Sequence, residues 1–355
     1  MTKKRLQLLI STPAALIIFV PVSFVFYYLH ANVILTFVSI AAATAAITYL
    51  MAESTTIIAR RVSNTTSALI NASFGNAVEF FVAIFALREG LVDMVKASIT
   101  GSVVINVLLL IGVAMLSGGL KYKEQRFNRD SAGLYSTMLI VVVVGLALPS
   151  IYSMVVAKPA RSMSIAVSII LGIIYLLSLL YTLVTHKHLF VVERSGLYAG
   201  DDRWSTRSAV AILLAATLLV SFESSLLVNT ITPLIRQTQV TQTFMGLVVI
   251  ALITNIPEHI SAIGFARKNN MTLSLEIGMS SALQIALFVV PLLVAFSSII
   301  VGNALDLVFS PFELVAVVIT AMVANYISAD GVCHWLEGTQ LIAVYLLIAI
   351  AFYFL

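Results

Sequence analysis

Runs of about twenty apolar residues, separated by short polar loops, recur along the whole chain, and this pattern constrains the fold more than any single motif. A bilayer core of about 30 Å needs about 20 apolar residues per helix. Eleven such runs lie near 8–29, 33–52, 66–87, 97–118, 132–152, 163–184, 208–228, 240–266, 272–298, 310–328 and 337–355. The eighth and ninth are longer than a straight crossing requires, so tilt or a break is expected there. No short alternating segments of the barrel type interrupt them. The expected fold is an all-α polytopic membrane protein with eleven transmembrane helices. Composition agrees: 60% of the 355 residues are hydrophobic and 10% are charged, against about 25% charged in soluble domains. The net charge of +4 does not indicate nucleic acid, because the basic residues fall in loops between apolar runs. The single cysteine, Cys333, excludes an internal disulfide framework and a Cys-based zinc site.

The first run follows Lys3, Lys4 and Arg5, but its apolar stretch is too long for a signal peptide and has no convincing cleavage site. It is read as a retained span with the N-terminus inside. Fifteen of the 20 Lys and Arg then fall inside: Lys3, Lys4, Arg5, Arg60, Arg61, Lys121, Lys123, Arg126, Arg129, Lys187, Arg194, Arg203, Arg207, Arg267 and Lys268. Only Arg88, Lys96, Lys158, Arg161 and Arg236 fall outside. This asymmetry follows the positive-inside rule. An odd number of spans leaves the C-terminus outside.

Two polar motifs interrupt the apolar runs. The third run carries Asn71 and then Gly75-Asn76-Ala77-Val78-Glu79, and the eighth carries Thr254-Asn255-Ile256-Pro257-Glu258-His259. Each places Asn three residues before Glu, on one helical face, and the two glutamates are 179 residues apart. Downstream, Ser98, Ser102 and Asn106 recur every four residues, as do Glu276, Ser280 and Gln284, at an offset of 178, so one residue slips between motif and stripe. Glu53-Ser54 and Glu223-Ser224 form a further pair near the inner ends of the second and seventh runs. The third run crosses from inside to outside and the eighth crosses back. The chain therefore reads as an extra N-terminal helix (1–31), a five-helix repeat (32–190), a polar linker (191–205) and a second repeat of opposite topology (206–355). Inverted repeats of this kind characterise secondary transporters, with the ion site near the midplane.

A carboxylate at the centre of a membrane helix costs about 2.5–3.5 kcal/mol on insertion scales. Glu79 and Glu258 sit near the middle of their runs with no Lys or Arg beside them. Each must carry a proton, share a cation, or alternate between the two, which is proton/cation exchange stated as electrostatics. Carboxylate and carbonyl oxygens suit calcium, magnesium or manganese. Pro257 has no N–H, so the Ile253 carbonyl loses its helical partner and is tolerated at depth only when buried or lining a cavity. Ser98, Ser102, Asn106, Glu276, Ser280 and Gln284 are expected to line the same cavity as Gly75, Ile253, Thr254 and His259. Interhelical packing is the competing role for the small polar residues, and a structural hydrogen bond is the competing role for His259. Glu313 and Glu337, at span starts, carry little signal.

The run NASFGNAVEFF (71–81), continued by LREGLVDMVKASITGSVVINVLLLIG (87–112), resembles the first signature of the cation/proton exchangers of the calcium/cation antiporter superfamily. EHISAI (258–263) and SALQIALFVVPLLV (281–294) resemble the second, and DGVCHWLEG (330–338) also fits. The resemblance covers nearly the whole chain. It implies the five-plus-five inverted repeat and calcium leaving against entering protons. By position it makes Glu79 and Glu258 the ion- and proton-binding acids, with Asn76 and Asn255 as motif asparagines. The second motif departs from the family's Gly-Asn-Ala-Ala-Glu-His at Thr254, Ile256 and Pro257.

The expected function is calcium/proton antiport by alternating access, with no enzymatic activity, no cofactor, and calcium as the transported ion. Partners are calcium, protons and the lipid bilayer, with no nucleic acid; a homo-oligomer is left open. The expected location is the plasma membrane. An antiporter for manganese or sodium is the alternative within the class. A cation channel would use the same carboxylates as a ring, but an inverted repeat in one chain favours alternating access.

Overall fold

The computed structural model describes residues 13–186, 204–300, 302 and 305–355. Lys3, Lys4, Arg5, Lys187, Arg194, Arg203 and most of the linker 191–205 lie outside the described residues. The order is α1 (Phe19–Tyr28), α2 (Val33–Ala59), α3 (Asn64–Gly75), α4 (Ala77–Arg88), α5 (Val92–Gly119), β1 (Gln125–Arg126), α6 (Arg129–Val156), α7 (Arg161–Thr185) and α8 (Thr206–Thr238). It continues with α9 (Gln242–Thr254), α10 (Ile256–Ala266), α11 (Met271–Ile300), α12 (Pro311–Ile327), β2 (Val332–Cys333) and α13 (Trp335–Tyr353).

Among the described residues, seven helices are long and apolar enough to cross a membrane: α2, α5, α6, α7, α8, α11 and α13. An eighth crossing results if α9 and α10, bent by 59° at one residue, count as one broken span. The expected number of eleven is therefore not reached by length alone. The shortfall has a physical source: Leu16–Tyr28 and α12 are short, and the motif asparagines cut the third and eighth runs in two.

The described residues pack as two units, each drawing on both halves of the sequence. One holds residues up to 89 with 204–240; the other holds 90–186 with 241–355. In the first unit α2 lies along α8, with α1 on α2 and α4 on α8. At the α2–α3 turn, Arg61 donates through Nη1 to Thr206 Oγ1 (2.6 Å) and through Nη2 to the Trp204 carbonyl (3.3 Å).

In the second unit the loops gather at the two ends of the helices. At one end Gln125 pairs with Cys333 and Arg126 with Val332 in a short antiparallel ladder. There Gln125 Nε2 donates to the Ala266 carbonyl (2.8 Å) and to Asn269 Oδ1 (3.0 Å), and Lys121 Nζ donates to the Arg267 carbonyl (3.2 Å). The basic loops at 121–129 and 267–268 thus share one end. At the other end Lys96 pairs with Asp306 and donates to the Val308 carbonyl (2.8 Å). Ser150 and Ser164 accept from the Phe309 and Leu307 amides, both at 2.9 Å. Two residues of weak sequence signal prove to be caps: Glu313 Oε2 accepts from the Ser310 amide (2.7 Å) and Glu337 Oε2 from the His334 amide (2.8 Å).

Two helices of the second unit touch backbone to backbone. A Cβ on Gly101 of α5 would lie 2.3 Å from the Leu247 carbonyl oxygen of α9, and one on Gly246 would lie 2.3 Å from the Met94 carbonyl oxygen. Small residues permit this approach in a membrane, where close packing and hydrogen bonds replace the hydrophobic effect as the cohesive force. It sets Ser102 and Asn106 against Asn255. Wide i→i+5 turns occur at Ile105–Leu110, Met245–Ile250 and Ile285–Val289, and such turns gather at functional sites.

Candidate ion site

Each motif asparagine is where its helix stops and a new one starts. Asn76 has φ −111°, ψ 24° and Asn255 has φ −98°, ψ 13°, both in the sparsely populated region between helix and strand. Each carbonyl accepts the first bond of the next helix, from the Phe80 amide and from the His259 amide, both at 3.2 Å. Glu79 and Glu258 therefore stand in the first turns of α4 and α10. The positive end of a helix favours an anion there by up to about 2 kcal/mol. That offsets only part of the insertion cost of about 2.5–3.5 kcal/mol.

At Asn255 the cause of the break is visible. Its side-chain Nδ2 donates to the Ala251 carbonyl (2.8 Å), the acceptor that its own backbone N–H would take in a continuous helix, and also reaches Thr254 Oγ1 (3.2 Å) and Ser102 Oγ (3.3 Å). Its Oδ1 accepts from Asn106 Nδ2 (2.7 Å), which also donates to Ser281 Oγ (3.0 Å). Asn106 and Asn255 are fully buried, and Ser102 and Thr254 are 2% exposed. Asn106 Oδ1 and Glu258 Oε2 are buried without a hydrogen-bond partner among the described residues. His259 Nδ1 lies 2.8 Å from the Asn255 carbonyl, which can only accept, so Nδ1 carries the proton and the ring braces the break.

The structure corrects the expected role of Pro257. It stands in the first turn of α10 rather than in a helix interior, where a missing N–H removes no helical bond and the fixed φ suits a helix start. Asn255 breaks the helix, and the helices on either side of Asn76 also part there, without a proline.

The remaining expected residues divide. Ser102, Asn106, Thr254 and Asn255 meet in one network. Ser98 and Ser280 spend their hydroxyls on their own helices, bonding the Val95 (2.8 Å) and Ile277 (3.4 Å) carbonyls. Glu276 and Gln284 are half-buried on α11, Ile253 is buried, and Gly75 ends α3. Ser281, not foreseen from the sequence, joins the network in place of Ser280. It stands 179 residues after Ser102, the same offset as Glu258 from Glu79. The one-residue slip between motif and stripe vanishes at this position. Glu223, expected near a span's inner end, sits near the middle of α8 and is fully buried.

The family model described as sodium/calcium exchanger protein matches residues 32–184 and again 208–354. The Ca2+/H+ antiporter of Aphanothece halophytica is 38% identical over 356 residues, covering 96% of this chain and 95% of its own. The Ca2+/H+ antiporter ChaA of Bacillus subtilis (strain 168) is 40% identical over 291 residues, 81% of this chain and 83% of its own. The solved structure of native YfkE superimposes with a TM-score of 0.81 at 35% identity, covering 95% of this chain and 97% of that one. The H+/Ca2+ exchanger CAX shares the fold, with a TM-score of 0.72 at 17% identity over 99% of this chain and 93% of its own. This multi-pass membrane chain thus belongs to the sodium/calcium exchanger protein family, a family of transporters and not of enzymes.

Proposed function

We propose that the protein exchanges calcium for protons across the plasma membrane by alternating access to a midplane site. Glu79 and Glu258 bind either the cation or protons there, with Asn76 and Asn255 supplying amide oxygens. Gly75, Ile253, Thr254, His259, Ser98, Ser102, Asn106, Glu276, Ser280 and Gln284 border the path. The observation that carries this reading is the matched construction of the two motifs. Each sets a glutamate in the first turn of a half-helix that begins at an asparagine with nearly the same backbone angles. Discontinuous helices with their positive ends toward a polar site are the ion-binding device of secondary transporters. The names of the relatives, Ca2+/H+ antiporters, favour calcium over manganese or sodium.

The proposed architecture is eleven spans: an extra first helix within 1–31, five-span repeats of opposite topology at 32–190 and 206–355, and a linker at 191–205. It counts α3 with α4, and α9 with α10, as broken spans, and takes Leu16–Tyr28 and α12 as short ones. The separate family matches to 32–184 and 208–354 support the repeat. The shared end of the 121–129 and 267–268 loops supports an orientation with those basic loops and the N-terminus inside, and the C-terminus outside.

Transport in sealed vesicles tests the function. Calcium uptake that dissipates an imposed pH gradient is expected, and Glu79→Gln or Glu258→Gln should each abolish it while the protein still inserts. Calcium current without proton counterflow would indicate a channel instead. Normal exchange by either variant would remove that carboxylate from the site.

A further inference from the structure

One buried acid lies outside the two motifs. Glu223 is fully buried near the middle of α8. Its Oε1 is 2.7 Å from Ser23 Oγ of α1, and Ser23 Oγ is also 2.7 Å from the Val20 carbonyl. Ser23 is itself fully buried. Glu223 Oε2 and the neighbouring Ser224 Oγ, likewise buried, have no hydrogen-bond partner among the described residues. A second tie between the same helices, Asn229 Nδ2 to Tyr27 Oη (3.3 Å), holds α1 in place beside α8.

Proton bookkeeping at Ser23 distinguishes two states. A serine hydroxyl has one proton and two lone pairs, and a backbone carbonyl only accepts. With Glu223 protonated, Oε1–H donates to Ser23 Oγ and Ser23 O–H donates to the Val20 carbonyl, so both short contacts are full hydrogen bonds. With Glu223 ionised, the single Ser23 proton must leave the Val20 carbonyl and turn to the carboxylate, and a bare charge then remains at membrane depth with Oε2 unpaired. The ionisable groups on the helices packed against α8 are Tyr49 and Glu53 on α2, Glu79 and Arg88 on α4, and Tyr27 and Tyr28 on α1; α8 itself carries Arg207 and Arg236 at its ends. Among the described residues, none of these makes an ion pair or hydrogen bond with Glu223.

We propose that Glu223 is a further proton-binding site, separate from the two motif glutamates, and that Ser23 of the first helix positions it by accepting its proton. Binding a proton locks the Glu223–Ser23–Val20 chain of hydrogen bonds, and releasing it forces Ser23 to reorient. The site goes beyond the exchange reading and does not need it to be right.

The test is infrared pH-difference spectroscopy on the full-length protein in lipid vesicles, in a Glu79→Gln/Glu258→Gln background that removes the motif carboxyls and needs no transport. A protonated-carboxyl stretching band should appear as pH falls and vanish in Glu223→Gln. Ser23→Ala should shift the band and displace its titration, and Ser23→Thr, which keeps the hydroxyl, should restore both. Glu223→Gln leaving every carboxyl band in place overturns the proposal, as does a titration that Ser23→Ala does not move. Should Glu223→Gln fail to insert, the Ser23 pair decides alone, because neither substitution touches the acid.

Discussion

Asn106 donates to Asn255 across 2.7 Å, side chain to side chain, from one membrane helix to the break in another. The bond occupies one of the two lone pairs of Asn255 Oδ1 and fixes the direction of the other, so it orients the amide at the break and ties α5 to α9 there. Asn106 Oδ1 on the same amide is buried and has no hydrogen-bond partner among the described residues.

Removing the Asn106 amide should therefore do two things. In Asn106→Ala the Asn255 Oδ1 is left buried without a donor, which costs about 1–3 kcal/mol, or a fall in Tm of very roughly 2–4 °C for each kcal/mol by soluble-protein scaling. Calcium affinity should change as well, because the Asn255 amide loses the partner that orients it. Thermal unfolding in detergent and calcium binding by calorimetry check both. A variant as stable as the parent, with unaltered calcium binding, would show that the bond does no structural or functional work.

The α5–α9 crossing can be probed with two glycines that differ only in surroundings. A Cβ at Gly101 would meet the Leu247 carbonyl and Cα at 2.3 and 2.5 Å, and backbone cannot swing aside. Gly101→Ala should destabilise by about 1–3 kcal/mol through overpacking. It should also slow exchange, since Ser102 follows directly and reaches Asn255. At Gly264, inside α10, a Cβ meets nothing within 4 Å, and Gly264→Ala should be neutral or stabilise by up to about 1 kcal/mol through helix propensity. Parallel melting curves separate the two, and equal effects at both positions would refute the close crossing.

Much of this was legible in the sequence, and the limits have physical causes. Helix positions follow from apolar run length, because the bilayer enforces it. The broken eighth run was visible in its excess length. The break's author was not, because proline is the stronger textual signal while the side chain of Asn255 does the work through the Ala251 carbonyl. Ser281 was masked by Ser280, which fits a four-residue stripe, whereas the hydroxyl that meets Asn106 is that of the next residue. The bond between Ser23 and Glu223 spans 200 residues, and no local pattern announces a contact of that kind.

Cys333 offers a check at the loop end of the second unit. It is 2% exposed, and burial, with Glu337 and Asp330 adding repulsion, pushes its thiol up from 9.0 to about 12. A pKa raised in the folded state means that stability from the neutral thiol is complete below about pH 9 and is lost as pH climbs toward 12. At pH 8 the thiolate fraction should be about 1,000-fold below that of an ordinary cysteine. Alkylation by a maleimide should be correspondingly slow in the folded protein and fast after unfolding. Rapid labelling of native protein at pH 8 would contradict the burial of this loop.

Pro257 is one of the residues at which this chain leaves the pattern it resembles, and its position predicts the outcome of replacing it. In a helix interior, Pro257→Ala would restore a bond to the Ile253 carbonyl and stabilise by about 3 kcal/mol. In the first turn of α10 no such bond is available, since Asn255 has already ended the preceding helix. Alanine instead loses the fixed φ that prepares the helix start, so stability should be unchanged or lower by about 0.4–1 kcal/mol. Asn255→Ala should be the damaging change, because it strands the buried Asn106 amide and returns the Ala251 carbonyl to the backbone N–H, closing the break. Melting temperatures of the two variants, with the ratio of calcium to manganese transport measured beside them, test the assignment. The ratio should hold in Pro257→Ala and shift or collapse in Asn255→Ala. A marked rise in stability for Pro257→Ala would return the break to the proline.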